Sequence, residues 1–472
     1  MSVHDGSWGD LLSGKNLAGS IALAGGVALH AINIYIATTV LPSVVKDIGG
    51  LDLYAWNTTL FVVASILGSA LTAKLLATAG SRGAYAIAAV LFMAGSVICA
   101  AAPTIAVMLL GRTLQGVGGG FLFALGYAMI NSVFEQRLWP RAMALISGMW
   151  GVATLFGPAI GGIFAQLDAW RWAFGMLVPV TLVYMVLVWL VLPARSQERL
   201  AAKALPVPQL LLLTVAVLAV SVGSMSHDPV WNLLGVAVAA VMVAMLVRQE
   251  FTSNLRLLPK DALRMHSPLL MLYLTMGLLV IGMTSETFVP YFLQLLHGQS
   301  PLISGYLAAL MAAGWTVAEI WSSGWQGRGI RAAIVNGPVV VLVGMVLLAC
   351  SVPLHGQGDW LILAAICVGL SLVGFGIGLG WPHMLTRILQ VAPSDDKDAA
   401  ATSITTVQLF ATALGSALAG MLANVGGLNV PGGVAGTSSA AGWLFWVLAA
   451  APLLAVFSAI RVSAVLKQEH AS

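Results

Sequence analysis

About fourteen stretches of this chain are apolar for long enough to cross a lipid bilayer, and that restricts the fold more than any motif in it. A membrane-spanning helix needs roughly 20 consecutive apolar residues. The stretches, numbered here as segments 1 to 14, lie at about 17–44, 54–78, 83–102, 104–133, 141–165, 172–193, 208–226, 230–248, 268–296, 301–325, 331–353, 359–388, 398–424 and 440–463. Only 8% of the residues are charged and 59% are hydrophobic. A soluble domain would carry roughly a quarter charged residues. Mean hydropathy is +0.95. The fold class is therefore an all-α polytopic membrane protein.

The same numbers exclude other classes. The net charge of +4 does not imply nucleic acid, because the basic residues lie mostly between the apolar segments. Cys99, Cys350 and Cys367 fall inside apolar segments and read as packing residues without a disulfide framework. The stretch from Met1 to Asn16 holds Asp5, Asp10 and Lys15 and no basic n-region, so the first segment is expected to be retained. There is no Gly-rich phosphate loop with a following Lys-Ser/Thr, no zinc spacing of His and Cys, and no nucleophile elbow. The chain is expected to be no enzyme and to carry no cofactor or metal.

Orientation follows from Lys and Arg, which collect on the cytoplasmic side. Placing Met1 inside puts Arg82, Arg137, Arg141, Arg195, Arg199, Lys203, Arg248, Arg256, Lys260, Arg264, Arg328, Arg331, Arg387, Lys397, Arg461 and Lys467 inside. It leaves Lys46 and Arg171 outside. Both termini are then cytoplasmic. Segments 7 and 8 carry no charge between Leu210 and Met225 or between Trp231 and Val247. They read as a lipid-facing hairpin inserted between two six-helix halves. The domains expected are a bundle over 1–200, the hairpin with its linkers over 201–266, and a second bundle over 267–472. A weak repeat supports the halves: Ala79-Gly80-Ser81-Arg82 follows segment 2, and Arg328-Gly329-Ile330-Arg331 follows segment 10. Parallel halves of this kind are one signature of secondary transporters.

Rare polar residues inside the segments are then the informative ones. Arg112 and Gln115 lie about one turn apart on one face of segment 4, followed by the glycines from Gly116 to Gly120. An arginine inside a span costs at least about 2.5–3.5 kcal/mol, and it is tolerated facing a bundle interior or a wet cavity. The plainer alternative is that Arg112 snorkels to the headgroups. Segment 1 carries His30, Asn33, Tyr35, Thr38 and Thr39, and segment 12 carries His383 and Arg387. Glu286 in segment 9 is a carboxyl among apolar neighbours, a candidate proton carrier unless the hydroxyls of Thr284, Ser285 and Thr287 simply hold it. Glu319 in segment 10 is a second proton site or, preferentially, the partner of a basic residue near the inner surface. His30 can titrate, though a lone helical His is more often a packing residue.

Gly157-Pro158-Ala159-Ile160-Gly161-Gly162 occupies segment 5. Proline removes a backbone hydrogen bond and kinks a helix. Small residues four apart let a neighbour pack closely. Gly374, Gly376, Gly378 and Gly380 before Pro382 form a looser counterpart in segment 12. Trp150, Trp315, Trp381, Tyr127, Tyr291, Phe123 and Phe288 are candidate cavity aromatics.

Taken together, these stretches resemble the major facilitator superfamily, and within it the fourteen-helix drug:proton antiporters. The resemblance covers nearly the whole chain. Gly111 to Gly120 is similar to the segment 4 motif whose arginine is implicated in proton coupling. Gly157 to Gly162 is similar to the antiporter motif of segment 5. Leu41-Pro42, Trp170-Arg171-Trp172-Ala173-Phe174 and Tyr291-Phe292-Leu293-Gln294 resemble further family stretches. Two acidic positions of the family pattern hold Asn33 and Ala77 here. The resemblance implies a major facilitator fold with two six-helix bundles and two extra central helices. It implies a multi-pass, monomeric protein of the plasma (inner) membrane that exports small amphiphilic compounds in exchange for protons. Glu286, Arg112, Glu319 and His30 are then the coupling candidates. Asn33, Tyr35, Gln115, Tyr127, Tyr291, Trp315, Trp381 and His383 are the substrate-binding candidates. Gly116, Gly120, Gly157, Pro158, Gly161 and Gly162 are structural. A facilitator or importer on the same fold, and a membrane sensor or enzyme, stay open as rivals.

Overall fold

The computed structural model describes residues 7–192, 205–226, 228–253, 255–260, 262–265, 267–393 and 396–469, with Asp398 and 463–469 described by their backbone alone. Arg195, Arg199 and Lys203 of the expected basic linker, and the domain limits expected at 200, 201 and 266, lie outside these residues. Every regular element among the described residues is a helix.

Twelve of these helices are long and apolar enough to cross a membrane, two fewer than the apolar segments of the sequence. The difference arises at two places. Residues Leu51–Ala101 run as one helical stretch of 51 residues, interrupted at Gly80, whose φ of 68° and ψ of 177° lie outside the helical region. A residue with a Cβ is disfavoured there, so a glycine marks the turn between segments 2 and 3. The second place is Val207–Gly223, which is apolar but only 17 residues long.

Segment 9 is one apolar run in the sequence and three elements in the structure. Helix Pro268–Met283 passes through a 3₁₀ turn, Thr284–Phe288, into helix Val289–His297. Pro290 causes the break. It has no N–H to give the carbonyl of Glu286 four residues back, and its ring crowds that carbonyl. The Glu286 carbonyl instead accepts from the N–H of Val289.

The described chain groups into two compact units. The first joins Met1–Gly49 to Leu60–Leu205, and the second joins Gly50–Thr59 to Pro206–Ser472. In the second unit, Tyr54 stacks on Phe288 with ring centroids 4.9 Å apart, and Asn424 Nδ2 donates to the carbonyls of Asp52 (3.1 Å) and Ser224 (3.0 Å). The sequence offers no signal for this docking of 50–59, because the first turns of an apolar helical stretch look the same wherever they rest.

The hairpin of segments 7 and 8 lies in the second unit. Its helices, Val207–Gly223 and Pro229–Thr252, meet closely at Gly223 and Gly235. A Cβ on Gly235 would lie 2.6 Å from the carbonyl oxygen of Ala219. The second helix faces outward as expected, with only 17% of its most apolar window buried. The first does not. Leu210, Leu213, Val217 and Val220 form a buried stripe at helical spacing. Even apolarity concealed this, since lipid and protein select the same residue types.

Candidate functional site

The first unit is organised around the helix Ile105–Ala128, which begins where the Thr104 hydroxyl caps the N–H of Val107. Its glycines receive neighbours on several sides. A Cβ on Gly116 would run into the carbonyl oxygen of Phe61, and one on Gly120 into that of Ser65. On another side, a Cβ on Gly118 would meet the backbone N of Phe92, with the Ala88 oxygen at 2.7 Å. The close approach brings side chains within reach of backbone. Ser65 Oγ donates to Gly116 O (3.1 Å) and Ser69 Oγ to Gly120 O (3.1 Å).

Arg112 is buried in this packing, 1% exposed, so it does not snorkel to water. Its Nη1 donates to Gln115 Oε1 (2.8 Å), and Gln115 Nε2 donates to Ser96 Oγ (2.8 Å). The guanidinium carbon lies 4.2 Å from the Phe61 ring centroid, a cation–π contact that desolvation strengthens. On the neighbouring helix Gly14–Ile48, His30 stacks near the same ring, centroids 5.3 Å apart. Phe123 and Trp150 complete an aromatic surround of His30 at 5.4 and 6.3 Å. A Cβ on Gly119 would sit 2.7 Å from His30 Nδ1, an atom with no hydrogen-bond partner among the described residues. Asn33, one turn further on, is fully buried, and neither its Oδ1 nor its Nδ2 has a partner there. Tyr127 adjoins this cluster, its ring 5.4 Å from that of Phe123, and meets Ser147 Oγ at 3.2 Å.

Helix Trp139–Gln166 carries Gly157, Pro158, Gly161 and Gly162, all buried. A Cβ on Gly157 would collide with Cβ of Tyr35, and one on Gly161 would lie 3.0 Å from both Ile36 O and Thr39 Cβ. These glycines therefore set the distance between the helix and Gly14–Ile48.

In the second unit Glu286 sits on the 3₁₀ turn, partly exposed. The hydroxyls beside it are engaged elsewhere: Thr284 Oγ1 donates to Ile281 O (2.6 Å) and Ser285 Oγ to Gly282 O (3.1 Å). No described residue forms a hydrogen bond or ion pair with the Glu286 carboxyl. Tyr291, on the following helix, meets Tyr54 edge-on at 5.6 Å.

A second cluster forms where Leu310–Ser322 packs on Trp360–Val391. Trp315 and Trp381 meet edge to face with centroids 4.7 Å apart. Trp315 Nε1 donates to Glu319 Oε2 (3.0 Å), and His383 Nε2 pairs with Ser322 O (3.0 Å). The expected ion pair of Glu319 with a basic residue is not formed among the described residues; the indole one turn earlier takes the carboxylate. The glycines of segment 12, the looser counterpart of segment 5, also admit neighbours closely. They act as Gly116, Gly118 and Gly120 do in segment 4: a Cβ on Gly374 or Gly378 would overlap the carbonyl oxygens of Met311 or Trp315, and Gly376 and Gly337 face each other on the opposite side.

A family model of the Major Facilitator Superfamily matches residues 23–416. The chain belongs to the Major Facilitator Superfamily. It is a multi-pass membrane transporter rather than an enzyme. A protein of Mycobacterium tuberculosis described as a probable multidrug-efflux transporter is 39% identical over 462 residues, covering 96% of each chain. A multidrug transporter protein of Bacillus subtilis is 27% identical over 381 residues, 79% of this chain and 69% of that one. The crystal structure of a D-xylose–proton symporter aligns with a TM-score of 0.65 at 14% identity, covering 94% and 97% of the two chains, a likeness of fold alone.

Sequence reasoning missed Phe61, Ser96 and Tyr54 in this transporter. Phe61 and Ser96 look like ordinary membrane residues in sequence. Only the arrival of the Arg112 helix makes the first a cation–π surface and the second an amide acceptor.

Proposed function

We propose that this transporter exports small amphiphilic compounds by alternating access, coupled to inward proton flow, with Glu286 as the proton carrier and Arg112 as a fixed positive charge. The observation that carries this is Glu286 itself: a carboxyl on a break within a membrane-spanning stretch, with no hydrogen-bond or ion-pair partner among the described residues. A mid-helix 3₁₀ turn is a common place for a functional hinge. The names of the Mycobacterium tuberculosis and Bacillus subtilis relatives support efflux as the direction and a broad range of compounds as cargo. Asn33 and His30, buried with unpaired polar atoms, supply groups that a polar substituent of the substrate would satisfy. Trp315, Trp381, Tyr291, Tyr127 and Tyr35 supply aromatic surface, and Gln115 and His383 further polar groups. Glu319 is the second coupling candidate.

The fourteen-helix antiporter arrangement belongs to the same proposal. A helical stretch of 51 residues is about 76 Å long at 1.5 Å per residue, enough for two crossings of a core about 30 Å thick. Counting it twice and adding Val207–Gly223 makes fourteen crossings. Both termini then face the cytoplasm, the protein sits in the plasma membrane, and it works as a monomer with two six-helix bundles flanking the hairpin.

The test uses purified protein in phospholipid vesicles with a fluorescent amphiphilic dye. An imposed pH gradient is expected to drive dye uphill with the unsubstituted protein. Glu286→Gln should exchange dye down its gradient while losing the uphill component. Dye movement that is only ever downhill and ignores the pH gradient would support a facilitator instead. Intact coupling in Glu286→Gln with loss in Glu319→Gln would move the proton site to segment 10.

A further inference from the structure

The loop between helix Pro229–Thr252 and helix Pro268–Met283, with the end of the first helix, borders a half-open cavity that the transport reading does not use. Both helices belong to candidate membrane spans, so this loop lies at the membrane surface whichever way the chain is inserted. The cavity measures about 210 Å³. That is below the roughly 300–1,000 Å³ of sites for drug-sized ligands. Arg256, Lys260 and Arg264 all line it.

The carboxylate in the wall, Glu250, is 6% exposed and turned to another task. Its oxygens accept the backbone N–H groups of Leu257 (3.0 Å) and Leu258 (3.0 Å), and so shape the loop. Asp261, the acidic residue between the two helices, lies outside the described residues. Further bonds fix the loop from outside. Gln209 Nε2 donates to Leu255 O (2.6 Å), and the N–H of Lys260 donates to Asp396 Oδ2 (2.8 Å). Arg256 Nε holds Ser253 O at 2.9 Å. The three basic residues thus line the cavity from an organised turn. Around them stand Phe251, Leu255 and Met265, with exposures of 50%, 44% and 78%. Exposed apolar groups beside cations would be out of place in water and fit the boundary of a bilayer.

We infer that this cavity binds the phosphate of an anionic phospholipid, with Arg256, Lys260 and Arg264 facing the headgroup and Phe251, Leu255 and Met265 against the acyl region. Basic pockets at membrane surfaces take anionic headgroups, and the apolar fringe distinguishes a lipid phosphate from the free ion.

The experiment is a native mass spectrometry titration of the full-length protein with phosphatidylglycerol and, separately, phosphatidylcholine. Arg256 is left intact because its guanidinium holds the loop. The unsubstituted protein is expected to retain one phosphatidylglycerol in preference to phosphatidylcholine. Lys260→Gln should weaken that retention about fivefold, and Lys260→Gln with Arg264→Gln roughly 25-fold. Retention of phosphatidylcholine should stay the same, and the thermal midpoint of Lys260→Gln should not move. Arg328→Gln with Arg331→Gln, at another basic turn, should change nothing. Equal loss in that control, or unaltered phosphatidylglycerol preference in the double variant, overturns the site. Displacement of the lipid by millimolar inorganic phosphate overturns the lipid assignment in favour of a small-anion site.

Discussion

The two glycine-rich helices, Ile105–Ala128 in the first unit and Trp360–Val391 in the second, solve the same packing problem and carry different chemistry. Both admit a neighbour's backbone at bare Cα positions, Gly116 and Gly120 in one, Gly374 and Gly378 in the other. Lipid tails are as apolar as leucine, so helices in a membrane are held by close packing and hydrogen bonds, and glycine allows both. The difference lies in where ionisable groups sit. In the first unit Arg112 rides on the glycine helix and is clamped by Gln115 and Phe61. In the second unit both carboxyls stand off it, Glu319 on the adjoining helix and Glu286 on the broken one. A permanent charge is placed on a rigid, immobilised element. The two carboxyls are placed where the helix is interrupted or where a single neutral partner is in reach.

The sharpest way to break the comparison is at the glycines. Gly374→Leu and Gly116→Leu should each cost at least about 3 kcal/mol, since the added side chain meets backbone that has nowhere to move. Gly148→Leu, with nothing within 4 Å of its Cβ position, is the matched control. Thermal unfolding in detergent would read this, and equal stability of Gly374→Leu and Gly148→Leu would show that the second helix is not a tight interface.

Next in size is the effect of straightening segment 9. Pro290→Ala supplies the N–H four residues beyond Glu286 O, in place of its bond from Val289, and the helix gains up to about 3 kcal/mol. Uphill transport is expected to fall at least about tenfold while binding persists, because the break at Glu286 is removed. Unimpaired coupling would separate the carboxyl's role from the hinge.

Arg112→Ala follows. It removes the stronger of two donors to Gln115 Oε1, leaving only Cys99 Sγ at 3.6 Å, and should destabilise by about 1–3 kcal/mol. Arg112→Lys keeps the charge without the planar fork and should recover only part of that. Full recovery by lysine would mean that charge alone matters and the Gln115 contact is incidental.

Asn33→Leu tests the other polar residue of the first unit. Replacing a buried amide with unpaired atoms by an apolar group of similar size should leave stability within about 1 kcal/mol, or raise it. Transport should nonetheless drop if the amide meets substrate. Retained transport of every compound would assign Asn33 to packing.

The smallest effect belongs to Asp10, a carboxylate outside the spans. Hydrogen bonds from the Ser7 backbone and hydroxyl hold its carboxyl below the ordinary value of 3.8, with Arg137 adding to them. A depressed folded value means that the capping turn is fully favoured above about pH 3.8 and lost as pH falls through the folded value. Asp10→Asn should therefore leave transport unchanged between about pH 5 and 8. A shifted transport profile there would assign part of the pH response to the first unit's surface.

What the sequence by itself determined is the class of fold and the course of its apolar segments. Length and apolarity are enough, because a bilayer demands roughly 20 apolar residues per crossing and forbids unpaired backbone. Arg112, Glu286 and Glu319 were legible for the same reason, since a charge inside such a segment needs a special site. The tertiary structure alone decided the partners. Glu319 reached Trp315 instead of a basic residue, and Phe61 and Ser96 became parts of the Arg112 site. It also decided that Val207–Gly223 buries one face, and that residues 50–59 dock in the second unit. Partners of this kind are set by which helix faces approach one another. In a membrane, a lipid-facing and a protein-facing stripe are built from the same apolar residues, so the pattern along the chain records depth far better than direction.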